Sequence, residues 1–441
     1  MTGPIVRYAP SPTGRLHIGN ARPALLNWLF ALKAGGTYVL RLDDTDRERS
    51  TEEFARGIEE DLNWIGIVPA LKVRQSDRTA LYEAAKAKLI AAGRLYPAYE
   101  TEDELDRRRA RARAMGKPPI YDRAALALTD EQRAALEAEG RKPHWRFRLD
   151  GKPVTFTDLI KGPQTVNTAS MSDPVLIRAD GSYLYTLPSV VDDIDLGITH
   201  VIRGEDHVSN TGTQIEIFEA LGGPIPAFAH HNLLTGAEGE GLSKRLGSTS
   251  LSDLREQGFE AMAVALVATL TGTSLPVEPY ESLVALADRF DLSMVSLGPA
   301  RFDPAELESV NARILHAMSF DVAKPRLPAA IGRAAWDLLR ANLTRFSDVE
   351  IWAQIFEHRP SSAVEAADRE FLGKAAELLP AEPWDETTFQ RWTDEIKKVS
   401  GRKGRALFHP LRLALTGRED GPDLKSLLPL LGRKVCRDRL S

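Results

Sequence analysis

Two short stretches carry the residue types that phosphate chemistry needs. In "PSPTGRLHIGN" (residues 10–20) two prolines stiffen a turn, Gly14 and Gly19 let backbone approach a ligand, and a helix is expected to open near Ile18. A helix start aims free N–H groups and a positive dipole end at whatever occupies the turn. His17 adds a ring donor and Asn20 a side-chain amide, so the set suits a polyphosphate. Far downstream, "GEGLSKRLGS" (239–248) presents Ser243, Lys244 and Arg245 on a glycine-rich loop. A lysine so placed can close over a phosphate and neutralise charge as a transition state forms. The chain has no G-x-x-x-x-G-K-[ST] and no G-x-G-x-x-G after a strand, which excludes a P-loop and argues against a dinucleotide cofactor. Taken singly, the first stretch also reads as a capped helix start and the second as a solvated lysine.

The elements around the first stretch define its position. "PIVRYA" (4–9) and "TYVLRL" (37–42) are rich in branched and aromatic residues and predict strands. Between them Leu25, Leu26, Leu29, Phe30 and Leu32 recur at helical spacing, and Gly35-Gly36 ends the run. Strand, loop, helix, strand within some forty residues is a βαβ unit, the seed of a doubly wound parallel sheet whose first βα loop binds ligands. Residues 101–115 predict a charged helix with a Thr101/Glu104 capping box, and "GKPPIYDR" then breaks the chain. "PVTFTDLIKGPQTVNT" (153–168) reads as strands and turns, so 93–180 is expected to be an α+β insertion. The sheet pattern is expected to return over 183–207, and beyond about 255 the chain reads as almost wholly helical. There Ile331, Ala335, Leu338 and Leu339 share one predicted face, and Ile351, Ile355 and Phe356 another.

"HIGN" at a first βα turn, with "LSKR" some 227 residues later, resembles the two ATP motifs of class I aminoacyl-tRNA synthetases. "RYAPSPTGRLHIGNAR", "RLDDTDRER", "VVDDIDLGITHVIRGEDH", "SLGPARFD" and "HPLRLALTG" narrow the resemblance to the bacterial-type glutamyl-tRNA synthetases, over essentially the whole chain. The resemblance implies a Rossmann-like catalytic domain in two halves (1–92 and 181–240) around an acceptor-end-binding insertion (93–180). A stem-contact segment with the LSKR loop (241–318) and an all-α anticodon-binding region (319–441) would follow. It implies ATP-dependent ligation of L-glutamate to the tRNA 3′ end through a glutamyl-adenylate, with bound tRNA needed for the first step. His17, Asn20 and Lys244 would act on the reacting groups, with Gly19, Ser243 and Arg245 also at the ATP. Arg7 and Tyr185 would take the glutamate side chain, Arg203 the other carboxylate, and Ser11 and Asp43 the α-amino end. Two cations for a dianionic amino acid agree with that division. The alternative for Arg7 and Arg203 is pairing to Asp192, Asp193 or Glu205.

Three departures stand out. Asp43 replaces the family's usual Glu, Gly241 replaces the lysine that commonly opens the second motif, and Ala98 and Glu100 stand where some relatives carry zinc ligands. Mg²⁺ is implied by ATP, no zinc is expected, and no metal-ligand cluster is assigned. Asp44 and Asp46 are expected to cap the next helix and pair with arginines, and His144, His230 and His231 to serve packing.

On the tRNA side, Arg107, Arg108, Arg109, Arg111 and Arg113 could meet phosphates or form a salt-bridged helix face. Trp336, Trp352 and Trp392 are candidates for base stacking. The net charge of −5 over 441 residues hides twelve Lys/Arg against four Asp/Glu from Lys397 onward, a basic end suited to RNA. One cysteine, Cys436, leaves no disulfide framework, and no apolar run spans a membrane or marks a secretory leader. A cytoplasmic monomer acting on tRNA for glutamate, for glutamine, or for both is expected. The rivals are a glutaminyl enzyme, a small-molecule nucleotidyltransferase and a catalytically inactive tRNA-binding paralogue.

Overall fold

A computed structural model describes residues 3–236, 249–359, 365–385 and 387–441. The first predicted unit is present as expected. Strand β1 (Ile5–Tyr8) leads into helix α1 (Ile18–Ala34), which returns to β2 (Thr37–Leu42) parallel to β1. Leu25, Leu26 and Leu29 of α1 are fully buried against the sheet, and Gly35 ends the helix at φ +60°, a left-handed cap that glycine adopts without cost. Five of the six residues of β2 are buried, the near-continuous apolar run of a strand covered on both faces. Helix α2 (Glu52–Trp64) and β3 (Leu71–Arg74) extend the sheet on this side.

Next come α3 (Thr79–Ala91) and a three-stranded antiparallel sheet of β4 (Leu95–Ala98), β5 (His144–Phe147) and β8 (Val175–Ile177), in the order β4-β5-β8. Between β4 and β5 lie α4 (Glu102–Ala114), with both bonds of the Thr101/Glu104 capping box formed, and α5 (Asp130–Ala138). The hairpin of β6 (Pro153–Asp158) and β7 (Gly162–Asn167) does not stay with this smaller sheet. It pairs in parallel with β10 (Ala227–His231) at the edge of the main sheet. The expected return of sheet over 183–207 is also corrected: Thr186–Asp195 is helix α6, and strand resumes only at β9 (His200–Gly204). Asp192 and Asp193 are buried on α6 by arginine partners.

The main sheet runs β3-β2-β1-β9-β10-β6-β7, all parallel except the last pair. The chain leaves β1 towards β2 and comes back much later on the other side through β9, followed by α7 (Val208–Leu221). That reversal opens a crevice beyond the carboxyl ends of β1 and β9, the switch point at which open α/β sheets bind ligands.

The chain divides into two compact units, Met1–Asp253 with Val264–Asp303, and Leu254–Ala263 with Pro304–Ser441. The second is helical, with a core that includes Trp336, Trp352, Trp392, Leu411 and Leu427. Trp336 and Trp392 are wholly buried and Trp352 nearly so, and their indole surfaces pack this core rather than standing out to meet bases. In helix 348–357 the buried face is Val349, Trp352, Ala353 and Ile355, whereas Ile351, expected inward, is exposed. Replacing the fully buried Leu29 with alanine should cost about 2–5 kcal/mol and lower the unfolding midpoint of the first unit in thermal or urea denaturation.

Candidate active site

The turn after β1 is held by backbone before it meets any ligand. Pro10 O accepts from Asp43 N at 3.0 Å and Pro12 O from Thr51 N at 3.2 Å, so the proline segment is stapled to the chain beyond β2. It delivers His17 to the N-cap of α1. There His17 Nδ1 accepts from Gly19 N at 3.1 Å, while Asn20 Oδ1 accepts from His17 N at 3.2 Å, a reciprocal capping box. Burial holds the His17 ring below its ordinary pKa. A neutral ring with Nδ1 as acceptor carries its proton on Nε2, leaving that N–H as a donor. The helix-start and phosphate readings of this stretch are therefore compatible, since the cap sets the tautomer.

Arg7, Ser11, His17, Gly19, Asn20, Tyr185 and Arg203 line one cavity of about 480 Å³ at the β1/β9 switch point. Arg7 lies on β1 and Arg203 on β9, so sheet pairing sets their separation. Their electrostatic situations differ. Arg7 Nε donates to Asp193 Oδ1 at 3.2 Å, and among the described residues its Nη groups make no hydrogen bond. Arg203 is buried yet forms no ion pair among the described residues. Nη1 donates to Tyr185 Oη at 3.2 Å, Nη2 to Thr211 Oγ1 at 2.8 Å, and Nε to His230 Nε2 at 3.1 Å. Burial, with the nearby Arg7 charge, pulls its pKa below the usual arginine value. The pairing weighed as the alternative is therefore present for Arg7, through Asp193, and absent for Arg203: Glu205 is engaged with Lys161 at 2.6 Å, and Asp192 with Arg78 at 2.7 Å. A buried cation whose only partners are neutral leaves its charge available to an anion in the cavity.

Asp43 lies apart from this group. It lines a neighbouring cavity with Asp46, Arg47, Arg178 and Tyr183, which shares Ser11, Thr13 and Tyr185 with the first. Both its oxygens accept from Arg41, at 2.7 and 3.1 Å, and Arg41 also reaches Asp193 at 2.8 Å. Burial pushes the Asp43 carboxyl up to about 6, against the opposing pull of Arg41. Of its neighbours, Asp46 pairs with Arg49 as expected. Asp44 does not cap the next helix: it accepts from Ser76 N and Oγ, each at 2.8 Å, while Thr51 caps α2.

Ser243, Lys244, Arg245 and Gly241 lie outside the described residues. The flanks of that stretch are anchored within the first unit. Leu234–Thr235 pairs with Ala300–Arg301, and Ser250 forms an antiparallel bridge with His17, with Leu251 N donating to Leu16 O at 2.8 Å. The chain thus leaves the second motif directly onto the first.

Elsewhere, Arg108 pairs with Asp122 and Arg109 with Asp106 on α4, which buries none of its residues. Ala98 is buried in β4, Glu100 accepts from Tyr121 Oη at 2.9 Å, and no group of three or more His, Cys, Asp or Glu among the described residues is placed to hold a metal. No described helix is long and apolar enough to cross a membrane. His231 is buried, as expected of a packing residue, but also lines the cavity wall, and His144 is half-buried and accepts from Arg146 Nε at 3.2 Å. The sequence reading passed over Thr211, Arg41 and the link from His230 to Arg203. Their partners lie up to 152 residues away, and no local pattern announces them.

A crevice at a parallel-sheet switch point, a helix N-terminus with a donor histidine and a buried arginine facing the same space together offer positive charge and N–H donors to an anion. Residues 5–309 match the family described as "tRNA synthetases class I (E and Q), catalytic domain", and 308–441 match "Anticodon binding domain". The chain belongs to the class I tRNA synthetases of that family. It is 61% identical over 99% of its length, and 98% of the relative's, to glutamate–tRNA ligase 2 of Methylobacterium sp.. It is 60% identical, with the same coverage, to glutamate–tRNA ligase 2 of Methylorubrum populi. Among solved structures, a glutamate tRNA ligase from Elizabethkingia meningosepticum in complex with its amino acid superposes with a TM-score of 0.85 at 28% identity, covering 99% of this chain and 98% of that one.

The lowered pKa of His17 has a defined sign in stability. The neutral ring is the capping form, so its contribution is complete above the unfolded value near 6.5, declines below it and is lost as the pH falls through the lower folded value. His17→Ala should cost about 1 kcal/mol at pH 7.5, and the deficit should shrink towards pH 5 in denaturation measured at both pH values.

Proposed function

We propose that the chain joins L-glutamate to the 3′ end of tRNA in two steps within the β1/β9 cavity. One observation carries the reading: Arg203 is a buried guanidinium with neutral partners only, in the same cavity as the N-terminus of α1. The first is a seat for a carboxylate, the second for a nucleotide phosphate. Glutamate binds with its side-chain carboxylate at Arg7 and Tyr185 and its α-carboxylate end towards Arg203, and Ser11 serves the ammonium end. Asp43, already gripped by Arg41, acts on that ammonium through the shared wall of the neighbouring cavity.

A glutamate α-carboxylate oxygen attacks the α-phosphorus of ATP, and pyrophosphate departs, taking the P–O bonding pair. His17 Nε2–H, the Gly19 backbone and Asn20 hold the phosphates during this step. Lys244, with Ser243 and Arg245, neutralises the charge that grows on the leaving pyrophosphate. A ribose hydroxyl of the terminal nucleotide then attacks the glutamyl carbonyl, and AMP leaves. Mg²⁺ comes with the ATP phosphates as their counter-ion. Glutamine would bring no carboxylate to the Nη groups of Arg7, so it should be rejected more strongly than by shape alone. The relatives' names agree with glutamate rather than glutamine. The basic region from Lys397 onward and the arginines of α4 supply phosphate contacts to tRNA, and the chain works as a cytoplasmic monomer.

Two kinetic outcomes test these roles. Arg203→Ala should raise the glutamate KM by about 100-fold with ATP and tRNA constants nearly unchanged. Unaltered glutamate kinetics would remove the carboxylate assignment. Lys244→Ala should lower kcat by about 100-fold or more while tRNA affinity holds, and a defect confined to tRNA binding would refute its role. Exchange of labelled pyrophosphate into ATP with glutamate should be negligible until tRNA is added.

A further inference from the structure

A line of buried groups runs from the edge hairpin to Arg203. Asp158 closes β6 and lies opposite Phe228 of β10. Its Oδ1 accepts from three backbone donors, Ile160 N at 2.9 Å, Lys161 N at 2.8 Å and His230 N at 3.2 Å. Its Oδ2 lies 2.6 Å from His230 Nδ1, and the other ring nitrogen, Nε2, accepts from Arg203 Nε at 3.1 Å and lies 3.1 Å from Thr211 Oγ1, the hydroxyl that accepts from Arg203 Nη2. Asp158 and His230 are 2% and 0% exposed, so neither has water as an alternative partner. The ring plane is set by Phe228, stacked on it at an interplanar angle of 10°, with Phe156 tilted against it.

Resting on the assignment of Arg203 to glutamate, we propose that Asp158 is a positioning residue for amino-acid binding: it holds the His230 proton on Nδ1, which keeps Nε2 free to orient the Arg203 guanidinium. A protonated Nε2 would set donor against donor at Arg203 Nε, and the fork could not stay where the cavity needs it. The carboxylate dictates the tautomer, and the tautomer dictates the arginine. The protonation states are consistent. Burial and the neighbouring Arg203 keep His230 below its ordinary pKa despite the Asp158 bond. Burial alone would raise Asp158, but the His230 and backbone hydrogen bonds outweigh it and hold it ionised. Lys161 is taken up by Glu205 and does not compete for Asp158 Oδ2.

The three backbone donors make the test sharp. In Asp158→Asn the amide oxygen must occupy the Oδ1 position, since only an acceptor satisfies those N–H groups. The NH₂ then faces His230 Nδ1 and drives the proton to Nε2, with almost no change of shape. Expected in the full-length enzyme with tRNA is a glutamate KM raised about tenfold, with kcat and the ATP and tRNA constants within about twofold of wild type. Nitrogen-15 chemical shifts of His230 should exchange between Nδ1 and Nε2. Should that variant not fold, His230→Phe, which keeps a ring but removes the acceptor, should give the same selective KM rise. A swapped tautomer with unchanged glutamate KM would overturn the inference, provided Arg203→Lys still raises that KM. An unswapped tautomer, or a parallel loss across all three substrates, would overturn it as well. If Arg203→Lys also leaves glutamate KM unchanged, the assignment of Arg203 itself has failed.

Discussion

The cavity depends on one electrostatic constraint: a guanidinium has been taken out of water at the end of a parallel strand without a carboxylate bonded to it among the described residues. Burying an arginine is tolerable only when every committed N–H finds an acceptor. For Arg203 those acceptors are a tyrosine hydroxyl, a threonine hydroxyl, a histidine nitrogen and the His207 carbonyl, none of which carries a charge. The surroundings therefore hold a cation in place while leaving its field directed at the cavity. The sheet makes this arrangement possible, because β9 carries Arg203 beside β1, and the turn after β1 leads to the N-terminus of α1.

On the β1–β2 wall of the same cavity the opposite solution operates. Arg41 is buried completely, but Asp43 and Asp193 bind it directly, and Asp193 also receives Arg7. Asp192 in turn gathers Gln75, Arg78 and Tyr82. Charges in this layer are compensated by the protein itself, so the layer acts as a rigid base joining β1, β2 and α6. Removing one partner of such a set strands another charge in the interior. The contrast lies between Arg41, whose charge carboxylates meet directly, and Arg203, whose hydrogen-bond partners are all neutral.

Much of the fold was legible because local signals agreed with the global topology. The β1-α1-β2 unit, the end of α1 at Gly35 and the Thr101/Glu104 box depend on neighbours a few residues apart, and each was present where periodicity and capping placed it. The elements that were misplaced depend on distant partners. Thr186–Asp195 has the branched and acidic residues of a strand and its border, yet tertiary ion pairs to Arg7, Arg41 and Arg78 bury its aspartates on a helix. The 153–167 hairpin follows the smaller sheet in sequence but pairs with β10, a contact that no short pattern encodes. Ile351 satisfies helical spacing but faces outward, because Trp352 and Val349 set the rotation of that helix. Within the site the motif residues could be named in advance, whereas the tautomer of His17 and the neutral company of Arg203 emerge only from three-dimensional contacts.

The most direct measurement is aminoacylation by the purified full-length chain, with labelled glutamate and labelled glutamine offered separately on unmodified glutamate tRNA and glutamine tRNA. A cavity that meets the side-chain carboxylate with Arg7 and Tyr185 predicts glutamate transfer to the glutamate acceptor, with glutamine disfavoured by about 1,000-fold or more in kcat/KM. Glutamate transfer to the glutamine acceptor as well would widen the range of tRNAs without altering the amino-acid site. Comparable use of glutamine, or tRNA binding with no charging by either amino acid, would contradict it.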